Sequence, residues 1–89
     1  MLYEITRVSI VFYVYILGSL VDTDRMYVGF THDVENRLND HNTGECIHTN
    51  KYKPWKLVTY VAFSEKEKAV AFEQYLKSGS GRSFSKRHL

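Results

Sequence analysis

The sequence predicts a small α/β (α+β) fold in which helices flank a three-stranded sheet. Two segments carry apolar residues at helical spacing. Three segments rich in β-branched and aromatic residues predict the strands: 12–18, 25–30 and 55–63. The chain has 89 residues, 44% of them hydrophobic, which suffices for one modest core. We therefore expect one domain over residues 1–89, with an N-terminal extension at 1–11 and a basic Gly/Ser-rich tail at 78–89.

The first two strands are predicted to pair as a hairpin, and its register decides which tyrosines meet. If the hairpin is centred near Val21, Tyr15 stands directly opposite Tyr27 and the two phenols lie side by side. Gly29 follows Tyr27 on the same face and has no side chain. It is therefore predicted to leave open space beside Tyr27.

The third strand has apolar residues on both faces, so we expect both to be covered. The alternation of a strand predicts Leu57 and Phe63 on one face and Tyr60 on the other.

Local signals bound the two helices. The first is predicted to begin near His32 or Asp33 and to end before Gly44. Thr31 or Asp33 can supply its N-cap. The second opens with Ser64-Glu-Lys-Glu67, which predicts a capping box with Ser64 at the cap.

Three polar side chains fall within the apolar arcs of these helices. In the first helix the arc includes Arg37 and His41, one turn apart, and in the second it includes Glu73. A carboxylate aimed at a core is costly unless a cation or metal neutralises it. These positions therefore either pack against something polar or line a site.

Phosphodiester hydrolysis is a chemistry that such residues can perform together. Glu73 can bind one hard cation, and the planar guanidinium of Arg37 matches phosphate oxygens. Tyr15 and Tyr27 can orient the attacking water, and one of them can act as general base where positive charge favours phenolate. His41 can relay a proton or bind phosphate.

Each of these residues also has a structural interpretation. The two tyrosines can be core packing, and Arg37 and Glu73 can be a buried ion pair. His41 can be a helix C-terminal residue favoured by the macrodipole. The residues alone predict only a polar cluster on one face of a small α/β sheet.

Positive charge is concentrated at the C-terminus. The formal net charge is +2, yet residues 1–76 carry eight basic and ten acidic side chains. The other basic residues are Lys77, Arg82, Lys86 and Arg87. A basic Gly/Ser-rich tail suits a polyanion partner, and a solvated, disordered terminus is an equal alternative.

The single cysteine, Cys46, excludes an internal disulfide and completes no zinc-binding spacing. We therefore expect a reduced, cytoplasmic protein. The apolar run from Val8 to Val21 is too short and too polar to span a bilayer, so no membrane association is expected.

Five short motifs occur in order between Phe12 and Lys86. They are YVYIL at 13–17, YVGFT at 27–31, RLNDHN at 37–42, Thr49 with Pro54-Trp55, and EQYLKSGSGR at 73–82. In this order they resemble the GIY-YIG nuclease superfamily. The resemblance is strongest to its small stand-alone bacterial members, which are similar to the N-terminal catalytic domain found in the third component of the ABC excinuclease.

The resemblance implies an antiparallel sheet and divalent-metal-dependent cleavage of DNA, with one Mg²⁺ or Mn²⁺ ion bound by Glu73. The catalytic residues that it implies, converging on one phosphate, are Tyr15, Tyr27, Arg37, His41 and Glu73. It leaves open which tyrosine is the base. Contacts to DNA are expected from Gly29, Thr31, Asn42, Lys51, Lys53, Lys77, Arg82, Lys86 and Arg87. The expected role is DNA repair or the processing of branched or damaged DNA.

The sequence departs from the family pattern in three places. Val14 replaces the glycine of the first motif, and no Asn follows Glu73. We expect no attached DNA-binding domain, so target choice is expected to come from the tail, the 44–54 loop, a protein partner or self-association. Two alternatives to an endonuclease stay open: a non-catalytic nucleic-acid-binding module, and a protein-interaction domain with the nuclease fold.

Overall fold

The computed structural model describes residues 10–89, so the predicted extension at 1–11 lies almost wholly outside the described residues. The strands are β1 (Phe12–Ser19), β2 (Met26–Thr31) and β3 (Trp55–Phe63). The helices are α1 (Val34–Thr43), α2 (Ile47–Asn50), α3 (Lys66–Leu76) and α4 (Gly79–His88). None of the helices in this range has the length and apolar character that a membrane span needs. The predicted fold, a three-stranded antiparallel sheet with helices beside it, is confirmed.

The sheet has the order β2-β1-β3, and both neighbours of β1 run antiparallel to it. The predicted register of the hairpin is wrong by two residues, because Tyr15 pairs with Gly29 and Tyr27 with Leu17. The turn is centred one residue later than the sequence suggested. A shift of two residues preserves the alternation of faces, so Tyr15 and Tyr27 still share one face.

Different helices cover the two faces of the sheet. On one, the tyrosine face, Tyr15, Leu17 and Trp55 form a buried cluster against which α1 packs. On the other, the phenylalanine face, Val14 and Ile16 pack against α3 and α4. Because β1 is the central strand and is covered on both faces, it is the most buried element of the fold.

The third strand, β3, is an edge strand whose alternation is interrupted. A β-bulge opposite Ile16 and Leu17 shifts its pairing with β1. Leu57 therefore packs on the tyrosine face while Phe63 packs on the phenylalanine face, so the prediction that they share a face is wrong. Tyr60 is 49% exposed, so the prediction that both faces of this strand are covered is also wrong.

The first helix, α1, begins and ends where the sequence predicts. The Asp33 side chain accepts a hydrogen bond from the Asn36 N–H at 3.1 Å, as an N-cap residue does. Gly44 closes the helix with a φ of 88°, a left-handed conformation that glycine adopts without strain. These two local signals fix the length of α1 and thereby the placement of the side chains on its inner side.

The start of α3 differs from the prediction. Its N-cap is Glu65 rather than Ser64, and no side chain makes a capping hydrogen bond. The predicted capping box between Ser64 and Glu67 is therefore wrong. The helix is held instead by its packed side, where Ala69 and Leu76 are buried.

The predicted tail is a helix, so the alternative of a disordered terminus is wrong. Ser78 caps α4 by accepting a hydrogen bond from the Gly81 N–H at 3.1 Å. Phe84 packs against the core of the phenylalanine face. Gly81 is buried where α4 meets the end of α3, directly against the Tyr75 carbonyl. A side chain at that position would hold the two helices apart.

Replacing Gly81 with Ala is therefore expected to destabilise the protein. A Cβ there would overlap the Tyr75 carbonyl group, so α4 would have to move away from α3. Overpacking of this kind costs about 1–3 kcal/mol in the free energy of unfolding, measurable by urea denaturation. Gly79→Ala is the matched control, because a Cβ there meets nothing within 4 Å and alanine favours a helix. Equal stability of the two variants would contradict the packing of α4 on α3.

Candidate active site

A buried chain of hydrogen bonds joins three elements on the tyrosine face. The Tyr15 hydroxyl lies 3.0 Å from His41 Nε2, and His41 Nδ1 lies 2.7 Å from Thr49 Oγ1. These residues belong to β1, α1 and α2, and their exposed fractions are 1%, 0% and 2%. Every buried side-chain nitrogen and oxygen among residues 10–89 has a hydrogen-bond partner, so the cluster is satisfied internally.

The partners of Thr49 assign the proton on His41. The Thr49 hydroxyl donates to the Cys46 carbonyl at 3.3 Å, which leaves its oxygen to accept from His41 Nδ1–H. Nε2 then carries no proton and accepts the hydrogen bond from Tyr15. The Trp55 indole donates to the Thr49 carbonyl at 2.9 Å and holds α2 in place. Sequence reasoning missed this role for Thr49, whose only signal was its place among the five motifs.

Tyr27 lies beside this chain and is only half-buried. Its ring centroid is 4.8 Å from that of His41 and 6.2 Å from that of Tyr15. A Cβ at Gly29 would overlap the hydroxyl and ring of Tyr15. The open space predicted beside Tyr27 is therefore wrong: the Tyr15 ring fills it, and this close approach requires glycine. Among residues 10–89 no group makes a hydrogen bond with the Tyr27 hydroxyl.

Burial sets the charge states of Tyr15 and His41, the titratable groups of this hydrogen-bond chain. It raises the pKa of Tyr15 to about 12, and the neighbouring phenol of Tyr27 adds to this rise while the Arg37 cation opposes it. Burial lowers the pKa of His41, and Arg37 lowers it further against the opposing effect of Asp40. Tyr15 is therefore a neutral phenol and His41 a neutral imidazole at pH 7, in agreement with the hydrogen-bond assignment.

Arg37 lies at the open side of this cluster. It is close enough to Tyr15 to favour the phenolate, yet its side chain is 41% exposed. Its guanidinium is 3.4 Å from the Asp40 carboxylate, an exposed pair of the kind that contributes little. The structure does not show the alternative of an ion pair between Arg37 and Glu73. Arg37 thus retains donors that can bind an anion.

Glu73 lies on the other side of the sheet, so the structure brings together four of the five predicted catalytic residues. The helix that carries it, α3, packs on the phenylalanine face. The Glu73 carboxylate is 2.7 Å from the Lys77 ammonium, and the side chain is 17% exposed. The two sides meet at β2, an edge strand that carries Tyr27 and also contacts α3.

A single carboxylate, as at Glu73, fits only a hard cation that keeps most of its water. No group of three or more His, Cys, Asp or Glu side chains within residues 10–89 is arranged to hold a metal. One carboxylate is a usual protein ligand for Mg²⁺, which retains several waters and takes phosphate oxygens as further ligands. A structural Zn²⁺ site needs four protein ligands and does not fit here.

The two uncharged side chains among the predicted DNA contacts, Thr31 and Asn42, have structural partners. Asn42 donates to the Trp55 carbonyl at 3.0 Å and accepts from the Trp55 N–H, so its amide ties α1 to β3. Thr31 accepts a hydrogen bond from the Asp33 N–H at 3.1 Å, just before α1. In this conformation both side chains hold the site together rather than face a ligand.

The predicted cationic contacts are distributed over the surface. Lys53 donates to Asn50 at 2.6 Å, and Lys51 lies 5.7 Å from the centroid of the Tyr52 ring. Lys77 pairs with Glu73. The remaining cations are exposed on α4: Arg82, Lys86 and Arg87. Val14, which replaces a glycine of the family pattern, is buried in the core of the phenylalanine face, where it serves packing.

Known proteins are similar to this chain in sequence and in fold. A UPF0213 protein of Streptococcus agalactiae is 39% identical over 66 residues, which is 73% of this chain and 73% of the relative. One of Streptococcus pyogenes is 35% identical over 72 residues, covering 80% of this chain and 76% of the relative. The solution NMR structure of a UPF0213 protein from Bacillus halodurans is similar at a TM-score of 0.52 and 34% identity. That similarity covers 85% of this chain and 80% of the other.

The family model of the GIY-YIG catalytic domain matches residues 11–87, nearly the whole of the chain. The match includes the two motif tyrosines and the helix arginine, which the fold assembles around His41. This protein therefore belongs to the GIY-YIG family and is related there to the small UPF0213 proteins.

Proposed function

We propose that this protein is a divalent-metal-dependent DNA endonuclease that hydrolyses phosphodiester bonds in the repair or processing of branched or damaged DNA. The observation that carries the proposal is the buried chain Tyr15–His41–Thr49, with Tyr27 and Arg37 beside it. Membership of a family whose model describes a catalytic domain supports it.

Arg37 and Tyr27 are the residues that contact the substrate in this proposal. The fork of the guanidinium matches two phosphate oxygens and stabilises the charge that grows on them as water attacks phosphorus. The Tyr27 hydroxyl has no other partner in the described part of the chain and orients the attacking water. Both residues are more exposed than Tyr15 and His41, as contact with a ligand requires.

Tyr15 and His41 act beneath them as positioning residues. Because Tyr15 donates to His41 Nε2, the direction of its hydroxyl is fixed. With a pKa of about 12 it stays uncharged, so it supports Arg37 without neutralising it. The cation then keeps its full charge for the phosphate.

Glu73 would hold the divalent cation. When bound, that ion polarises the phosphate and relieves charge on the leaving oxygen. The separation of Glu73 from the tyrosine face favours a second candidate function, a non-catalytic nucleic-acid-binding module. The same experiment decides between the two.

Glu73→Gln is expected to lower the rate of DNA cleavage roughly a hundredfold or more, because the loss of a metal ligand removes several kcal/mol of transition-state stabilisation. The measurement is cleavage of plasmid and branched DNA in Mg²⁺ or Mn²⁺. Glu67→Gln is the matched control, since it removes an exposed carboxylate from the first turn of the same helix and should leave the rate unchanged. Absence of cleavage by the unaltered protein would count against an endonuclease, and equal cleavage by both variants would count against Glu73 as the metal ligand.

The buried neutral His41 predicts a loss of stability on acidification. The unfolded chain binds a proton at His41 near pH 6.5, whereas the folded protein binds it only at lower pH, so the stabilisation is complete above about pH 6.5 and is lost as pH falls. We therefore expect the free energy of unfolding to be lower at pH 5.5 than at pH 7.5, with His41 contributing to the loss.

NMR titration of the imidazole protons assigns the loss to its source. The His41 resonance should titrate at a lower pH than a free imidazole, because burial and the Arg37 cation lower its pKa. Urea denaturation of His48→Gln should show the same pH dependence as the unaltered protein. A His41 resonance that titrates at an ordinary pH would contradict the buried hydrogen-bond chain.

A further inference from the structure

A concave surface lies on the phenylalanine-face side of the molecule, between the end of the β1–β2 hairpin and the helices α3 and α4. We call it the helix–hairpin groove. Its volume is about 560 Å³, within the range of ligand sites. Its apolar lining comes from all three strands and α3: Ile16, Met26, Val28, Val58 and Leu76.

Cations dominate the charged lining of this groove. They are Arg25, Lys77, Arg82 and Lys86, against one acidic side chain, Asp24. Arg82 and Lys86 are four residues apart on α4 and so project from the same side of the helix. Arg25 lies on the hairpin side, where its guanidinium is 4.2 Å from the centroid of the Tyr52 ring and 3.8 Å from the Asp22 carboxylate. The positive charge of the groove therefore comes mainly from Arg82 and Lys86, which form its α4 wall beside an apolar floor.

We propose that the helix–hairpin groove binds an unpaired strand of nucleic acid. The cations contact successive phosphates, and the apolar floor receives the faces of bases that are not paired. A duplex keeps its base faces stacked inside, so it would leave this apolar floor uncovered.

The position of the groove favours a nucleic-acid strand over an acidic peptide. Tyr27 belongs to the lining, and Lys77 both lines the groove and contacts the Glu73 carboxylate. A strand leaving the candidate active site would thus enter the groove directly, whereas a peptide ligand gives no reason for this continuity. This inference rests on the proposed endonuclease function. It specifies the substrate as DNA with an unpaired segment next to the cleaved bond.

The test measures the binding of a fluorescently labelled single-stranded oligonucleotide to the full chain. Binding is monitored by fluorescence anisotropy in the absence of divalent metal, at a series of salt concentrations. The double variant Arg82→Gln/Lys86→Gln should bind roughly ten- to thirtyfold more weakly at about 0.1 M salt. The slope of log K against log salt should fall in magnitude by about 1.4, the value for two lost phosphate contacts to a single strand. Affinity for a blunt duplex should change less.

The matched control is Lys66→Gln/Lys68→Gln, which removes the same charge from exposed positions of α3 outside the groove. It should bind the single strand as the unaltered protein does. Equal weakening by both double variants would show a general charge effect and overturn the proposal. Unchanged single-strand binding by the groove variant would also overturn it and leave the groove to another ligand, such as an acidic peptide.

Glu73→Gln separates this inference from the proposed function. In the metal-free assay it should bind the single strand with unchanged or slightly higher affinity. If it cleaves DNA as well as the unaltered protein while the groove variant loses binding, the assigned catalytic role of Glu73 fails and the groove assignment stands. If it loses cleavage while the groove variant binds normally, the groove assignment fails alone.

Discussion

The placement of His41 between two hydroxyls is the constraint on which the tyrosine face depends. A fully buried imidazole must satisfy both of its nitrogens, and here they reach Thr49 and Tyr15. One bond fixes α2, the other fixes the Tyr15 ring over Gly29, and His41 itself fixes α1. The same orientation of α1 places Arg37, one turn earlier, at the open side of the cluster. A fully satisfied buried network specifies a single arrangement, so packing and candidate site have one physical cause.

The second consequence concerns the strand at the edge of the sheet. Tyr27 lies on the tyrosine face, while its neighbour Val28 packs on the phenylalanine face beneath α3. Because β2 is an edge strand, no further strand lies beside it, and side chains from both of its faces are accessible along the same edge of the sheet. This is how groups on opposite faces, Arg37 on one and Glu73 on the other, can belong to a single site without meeting inside the core.

Structural features that depend on neighbouring residues were predicted correctly from the sequence. Features that depend on contacts between distant residues were not. Asp33 and Gly44 bounded α1 correctly because a cap and a left-handed glycine act within a few residues. The predicted hairpin register was wrong by two residues because the packing of Tyr15 over Gly29 is a contact between two strands, which neither segment reveals by itself.

The C-terminal helix was missed because its composition is that of a loop. Its stability comes from the fit of Gly81 on α3 and from burial of Phe84, both tertiary effects. The residue types in the sequence identified four members of the site on the tyrosine face: Tyr15, Tyr27, Arg37 and His41. The role of Thr49 was missed because it depends on the position of α2, which the periodicity of the sequence does not predict.

Lys77 links the two regions through one charge. A carboxylate that is only 17% exposed needs a counter-charge, and the Lys77 ammonium, 2.7 Å away, supplies it. Lys77 also lines the helix–hairpin groove. A divalent cation held by Glu73 would repel it, since like charges at a few ångströms oppose each other even near a surface. The phosphates of a strand in the groove would then be its alternative partners. If both proposals hold, cation and strand therefore favour each other's binding, because each removes a cost that the other would otherwise meet.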